Sequence, residues 1–91
     1  MQVRFWTDAD PRVRVGFTRN ISERGVFVGT NAPFRPGTQV EMDLLAGAQT
    51  HHARGRVIHA ARVSPLLKAL RSSGMGLRLD ARNPLLDETR D

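Results

Sequence analysis

The chain contains no cysteine, which excludes disulfides, thiolate nucleophiles and thiolate-bound metal. It has no apolar run near the ~18–20 residues that a bilayer-spanning helix needs, so membrane insertion is not expected. The stretch Met1-Gln2-Val3-Arg4-Phe5-Trp6 has no basic segment leading into an apolar one. A secretory signal is therefore not expected, and a cytoplasmic location is. Aromatic residues are scarce, at 5%. A basic β-domain that binds single-stranded nucleic acid needs a face of stacking rings, which is hard to build from so few, so nucleic acid is not the expected partner. Neither G-x-S-x-G nor a phosphate-cradling Walker loop occurs, and the carboxylates are dispersed. Catalysis is not expected. His51, His52 and His59 invite a metal reading, but neighbours on a strand diverge and positions seven apart fall on opposite faces. A zinc site needs three or four converging ligands, so no metal or cofactor is expected.

What is present is arginine: thirteen against a single lysine, for a formal net charge of +5. The planar guanidinium fork binds phosphate through two parallel hydrogen bonds and stacks on flat rings, so an arginine surplus points to anionic partners. At 91 residues the chain makes one domain, long enough to bury about 60–65% of its unfolded surface. No repeat, linker or low-complexity segment divides it.

Alternation with period two runs through most of the chain and predicts an antiparallel β-domain with one face of each strand buried. Val3 and Phe5, with Thr7, open a first strand that ends at Asp8-Ala9-Asp10-Pro11. Val13, Val15 and Phe17 share one face of a second, read here as its core face. Val26-Phe27-Val28 is apolar on both sides, as in a central strand, and Asn31 to Gly37 forms a proline-rich loop. Val40, Met42 and Leu44 alternate with Glu41 and Asp43 in a fourth strand. A long run from about Thr50 to Val63 puts Ala53, Gly55, Val57, His59 and Ala61 on one side and Arg54, Arg56, Ile58 and Ala60 on the other. Ser64-Pro65-Leu66-Leu67-Lys68-Ala69-Leu70 carries an N-cap and a proline at the first helical position, predicting a short helix before the last strand. Asn83-Pro84-Leu85-Leu86 repeats the device for a short C-terminal helix. The expectation is an all-β, six-stranded antiparallel barrel over about residues 2–80, with a tail at 81–91.

The most informative stretch is Asn20-Ile21-Ser22-Glu23-Arg24-Gly25, a polar turn between strand-like runs. Asn and Ser fold back onto nearby backbone, and Gly25 permits a positive φ or a close approach that a Cβ would block. N-x-S-x-x-G between strands, with the later strand Gly74-Met75-Gly76-Leu77-Arg78-Leu79, resembles the PilZ family of bacterial cyclic di-GMP receptor domains. The resemblance spans Val3 to about Asp80 and implies a six-stranded antiparallel barrel, often with a C-terminal helix. It further implies a non-catalytic regulatory domain of motility, pilus, surface-polysaccharide or biofilm control, with cyclic di-GMP as candidate ligand and a protein partner downstream. Carried over position by position, Asn20 would contact a guanine edge, Ser22 would bond a phosphate or base, and Gly25 would keep the approach open.

The family's second element, an N-terminal R-x-x-x-R segment that wraps the ligand, is missing. Arg4 is followed at that spacing by Asp8, and Arg12 by Gly16. Arg78 and Arg82 have the spacing at the opposite end of the chain and are read as chance. Charge-assisted hydrogen bonds contribute roughly 1.5–3 kcal/mol each, so losing two guanidiniums weakens binding by about a hundredfold or more. Arg19 and Arg24 bracket the turn and are the candidates to compensate. The alternative is a degenerate domain that acts through a protein partner alone, for which Trp6, off the Val3/Phe5 face, and Phe34, between two prolines, are the candidate surface residues.

Overall fold

The computed structural model describes residues 1–61 and 73–84. The alternating runs form six strands, β1 (Gln2–Trp6), β2 (Arg14–Ser22), β3 (Gly25–Gly29), β4 (Gln39–Ala46), β5 (Gln49–Ala61) and β6 (Gly74–Leu79). All pairings are antiparallel and close a barrel in the order β1-β2-β3-β6-β5-β4. Closure leaves no open sheet edge among these strands. The helix expected at Ser64 to Leu70 falls on residues 62–72, and the body of the one expected from Asn83-Pro84 onward falls on 85–91, outside the described residues.

The inward parity of β1, β3, β4, β5 and β6 supplies the core. Val3 and Phe5 of β1, Val26 and Val28 of β3, and Val40, Met42 and Leu44 of β4 meet Val57 of β5 and Met75, Leu77 and Leu79 of β6. β4 follows its alternation directly, with Val40, Met42 and Leu44 fully buried. Each large side chain so buried contributes about 1.5–3 kcal/mol. Phe34 closes one end of this core, its ring set edge-on to Phe5 at 5.8 Å, while the Arg14 guanidinium covers the ring 4.0 Å from its centroid.

β2 reverses the expected orientation. Val13, Val15 and Phe17 do share a face, but it is the outer one, with exposures of 56%, 50% and 60%. Val3 stands opposite Gly16 and Phe5 opposite Arg14, so Gly16 takes the inward position. A Cβ there would lie 2.6 Å from the Gly29 carbonyl oxygen and 2.8 Å from Val28 Cγ1, a space only glycine fits. Periodicity identifies which residues share a face; packing decides which face is buried.

β5 also departs from simple alternation. Its register with β6 shifts between Val57 and His59, a bulge that turns Ile58 and His59 outward in succession. His52 and His59, expected on opposite sides, are both exposed for this reason.

Candidate functional site

The turn singled out in the sequence is the β2–β3 connection. Asn20 adopts φ 50°, a left-handed conformation that Asn tolerates better than most residues, within a register irregularity between Arg19 and Ser22. Ser22 then pairs with Gly25. The Ser22 hydroxyl donates a long bond of 3.4 Å to the Gly25 carbonyl and lies only 2.9 Å from where a Gly25 Cβ would stand. A Cβ at Gly25 would oblige this hydroxyl to turn away; the positive φ belongs to Asn20. Asn20, Ser22 and Arg24 are exposed around the turn. Arg19 is also exposed, but its guanidinium runs back along β3, 3.6–3.8 Å from a Cβ position on Gly29.

Asn83 fastens the turn from beneath. It is completely buried, and its side-chain amide donates to the Ser22 carbonyl at 3.1 Å and more weakly to the Gly25 carbonyl at 3.5 Å. Its backbone N–H donates to the Glu23 carbonyl at 2.7 Å, and Leu79 N–H to the Arg24 carbonyl at 2.9 Å. Sequence reasoning assigned Asn83 to a helix cap. A contact across 61 residues leaves no local spacing signal by which its grip on the turn could be found.

Strand pairing brings further arginines to the turn. On the outer wall Gly25 stands opposite Arg78, and Arg78 opposite Arg56. Arg82 approaches Glu23 at 4.0 Å. The R-x-x-x-R spacing at Arg78 and Arg82, dismissed from its place in the chain, is therefore beside the N-x-S-x-x-G turn in space.

A different chemistry occupies the wall of β1, β4 and β5. His52 Nδ1 bonds Asp43 at 3.1 Å and Nε2 bonds Glu41 at 2.9 Å; two carboxylate acceptors require both ring nitrogens to donate, as only the imidazolium can. The hydrogen bond to Asp43 is the leading cause that raises the His52 pKa, and the bond to Glu41 adds to it against partial desolvation. Desolvation pushes the Glu41 carboxyl upward, but the bonds from Arg54, at 2.6 Å, and His52 outweigh it and leave its pKa lowered. Trp6 is half-buried beside this group, 6.0 Å from the His52 ring. An open cavity of about 360 Å³ lies between His52, Arg54, Leu79, Asp80, Arg82 and Pro84. Phe34 is half-buried by the core packing described above.

Among the described residues no group of three or more His, Asp or Glu is placed to hold a metal ion, and no helix is long and apolar enough to cross a membrane. The arrangement offers hydrogen-bond groups and cations for a bound anion.

The family model for the PilZ domain matches residues 4–81. No curated protein gives a match, and no solved structure does.

Proposed function

The chain belongs to the PilZ domain family, whose members are binding and regulatory domains for cyclic di-GMP, and from that premise we propose that this protein is a non-enzymatic cyclic di-GMP receptor or adaptor. Its nucleotide surface is the outer side of the β2–β3 turn. Asn20 addresses a guanine edge, Ser22 a phosphate or base, Gly25 leaves the backbone open, and Arg19 and Arg24 flank the approach. The reading is carried by one observation: the Ser22 hydroxyl is seated over Gly25 on a turn clamped by the buried Asn83. A preorganised polar group loses less ordering entropy on binding than a free one.

Binding acts by favouring one arrangement of the chain that a cytoplasmic partner reads, to the extent that the ligand binds two states unequally. Motility and biofilm control are the setting that the family resemblance suggests. Calorimetry with cyclic di-GMP on the wild type, Asn20→Ala and Ser22→Ala tests the reading. Saturable binding weakened in both variants is expected. A dissociation constant above roughly 100 μM for the wild type, about −5.5 kcal/mol, would leave the site without support.

A second reading has its own support. The outward Val13, Val15 and Phe17 form the kind of apolar stripe that protein partners cover, and Ile58 is exposed on β5 with two strands between. On that reading the domain acts through a partner without nucleotide, and substitution of Phe17 abolishes partner signalling while the calorimeter records no heat with cyclic di-GMP.

A further inference from the structure

The outer wall beside the turn holds an electrostatic arrangement that the fold itself does not need. Arg56 and Arg78 stand directly opposite each other across β5 and β6, and both are exposed. Directly opposed residues on one face have Cβ atoms about 5 Å apart, and like charges so placed oppose folding. Four other arginines are answered by carboxylates: Arg12 and Arg14 by Asp10, Arg54 by Glu41, and Arg82 by Glu23. Neither the Arg56 nor the Arg78 guanidinium forms a hydrogen bond or ion pair with a described residue. Asp80, two residues beyond Arg78, accepts from Gln39, the β4 neighbour of Arg56.

The surroundings indicate what answers the pair. Arg78 is flanked across β3 by Gly25, which offers no side chain, and the Ser22 hydroxyl occupies the space over that glycine. One hydroxyl, an open stretch of backbone and two guanidiniums thus lie in one row, Ser22-Gly25-Arg78-Arg56. A phosphodiester carries one negative charge on two non-bridging oxygens, and each oxygen can accept from one fork. Binding it replaces repulsion between the arginines with two charge-assisted contacts.

We infer that Arg56 and Arg78 form a phosphate-binding pair on the barrel wall. For cyclic di-GMP as the physiological ligand, the inference rests on the function proposed above; the pair's affinity for phosphate does not.

Amide chemical shifts of the full chain, followed during separate titrations with inorganic phosphate and with cyclic di-GMP, test it together with Arg56→Gln and Arg78→Gln. The exposed positions and the retained unbranched polar side chain keep the fold, which unshifted core amides verify. The expected result is phosphate shifts centred on Gly25, Arg56 and Arg78, and cyclic di-GMP affinity reduced about tenfold or more in each variant. Wild-type affinity for cyclic di-GMP in both variants overturns the pair and leaves the nucleotide reading standing. Absence of cyclic di-GMP binding, with phosphate shifts still centred on the pair and lost in the variants, overturns the nucleotide reading and supports the pair. Phosphate shifts that are absent, or spread evenly over all arginines, overturn the pair whatever cyclic di-GMP does.

Discussion

The wall formed by β1, β4 and the first half of β5 and the wall formed by β2, β3, β6 and the rest of β5 share one backbone plan and differ in how their side chains are satisfied. On the first, Asp43, His52, Glu41 and Arg54 join in a chain of hydrogen bonds. On the second, valines and phenylalanine face outward, the Phe27 ring lies where a Cβ on Gly74 would stand, and Arg56 opposes Arg78. A self-neutralised surface has little to gain from an outside ion. The Arg56–Arg78 pair and the exposed apolar groups have more to gain from a partner, which is why the proposed recognition falls on the second wall.

The largest effect expected from breaking this division is at Gly16, which fixes which way β2 faces. Gly16→Val places carbons against the Gly29 carbonyl and Val28, and a loss of about 3 kcal/mol is expected in urea denaturation, at the upper end for overpacking because one obstacle is backbone. A near-neutral result would mean that β2 turns over and buries Val15 and Phe17. Next comes Asn83→Ala, which removes the buried amide that donates to the carbonyls of Ser22 and Gly25. A loss of about 1–3 kcal/mol is expected, with faster amide exchange in the β2–β3 turn than in β4.

The self-neutralised wall makes a smaller, pH-dependent contribution. The folded pKa of His52 is raised above its ordinary value of 6.5, so its contribution is complete below that value and is lost as pH rises through the folded pKa. The folded pKa of Glu41 is lowered from 4.5, so its contribution is present above 4.5 and is lost as pH falls through the folded value. Together they are complete between 4.5 and 6.5. His52→Gln is expected to flatten the alkaline limb of a urea-midpoint profile; an unchanged limb would detach His52 from the network. The smallest effect belongs to Phe17→Ser, expected to shift stability by about 0.5 kcal/mol or less because the ring is already in solvent. A loss of several times that in the same denaturation experiment would mean the ring is covered.

The barrel and the polar turn were legible because their signals are local. β4 shows its buried face in alternation alone, and N-x-S-x-x-G is compact enough to read by eye. The orientation of β2 was not, since a stripe of Val13, Val15 and Phe17 describes a shared face without naming its side, and the steric reason lies in β3. The bulge after Val57 likewise defeated a strict count of two, sending Ile58 and His59 the same way. The arginine pair was hidden by chain distance. Arg56, Arg78 and Gly25 become neighbours only when the barrel order sets β6 between β3 and β5.

Asn83 ties the departing chain to the carbonyls of Ser22 and Gly25. The turn and the exit path therefore behave as a latch and its strike plate: whatever displaces one side tugs on the other. Tension applied downstream of this asparagine reaches Ser22 and Gly25 through one hydrogen bond each, and a ligand that stiffens the turn resists that tension in equal measure.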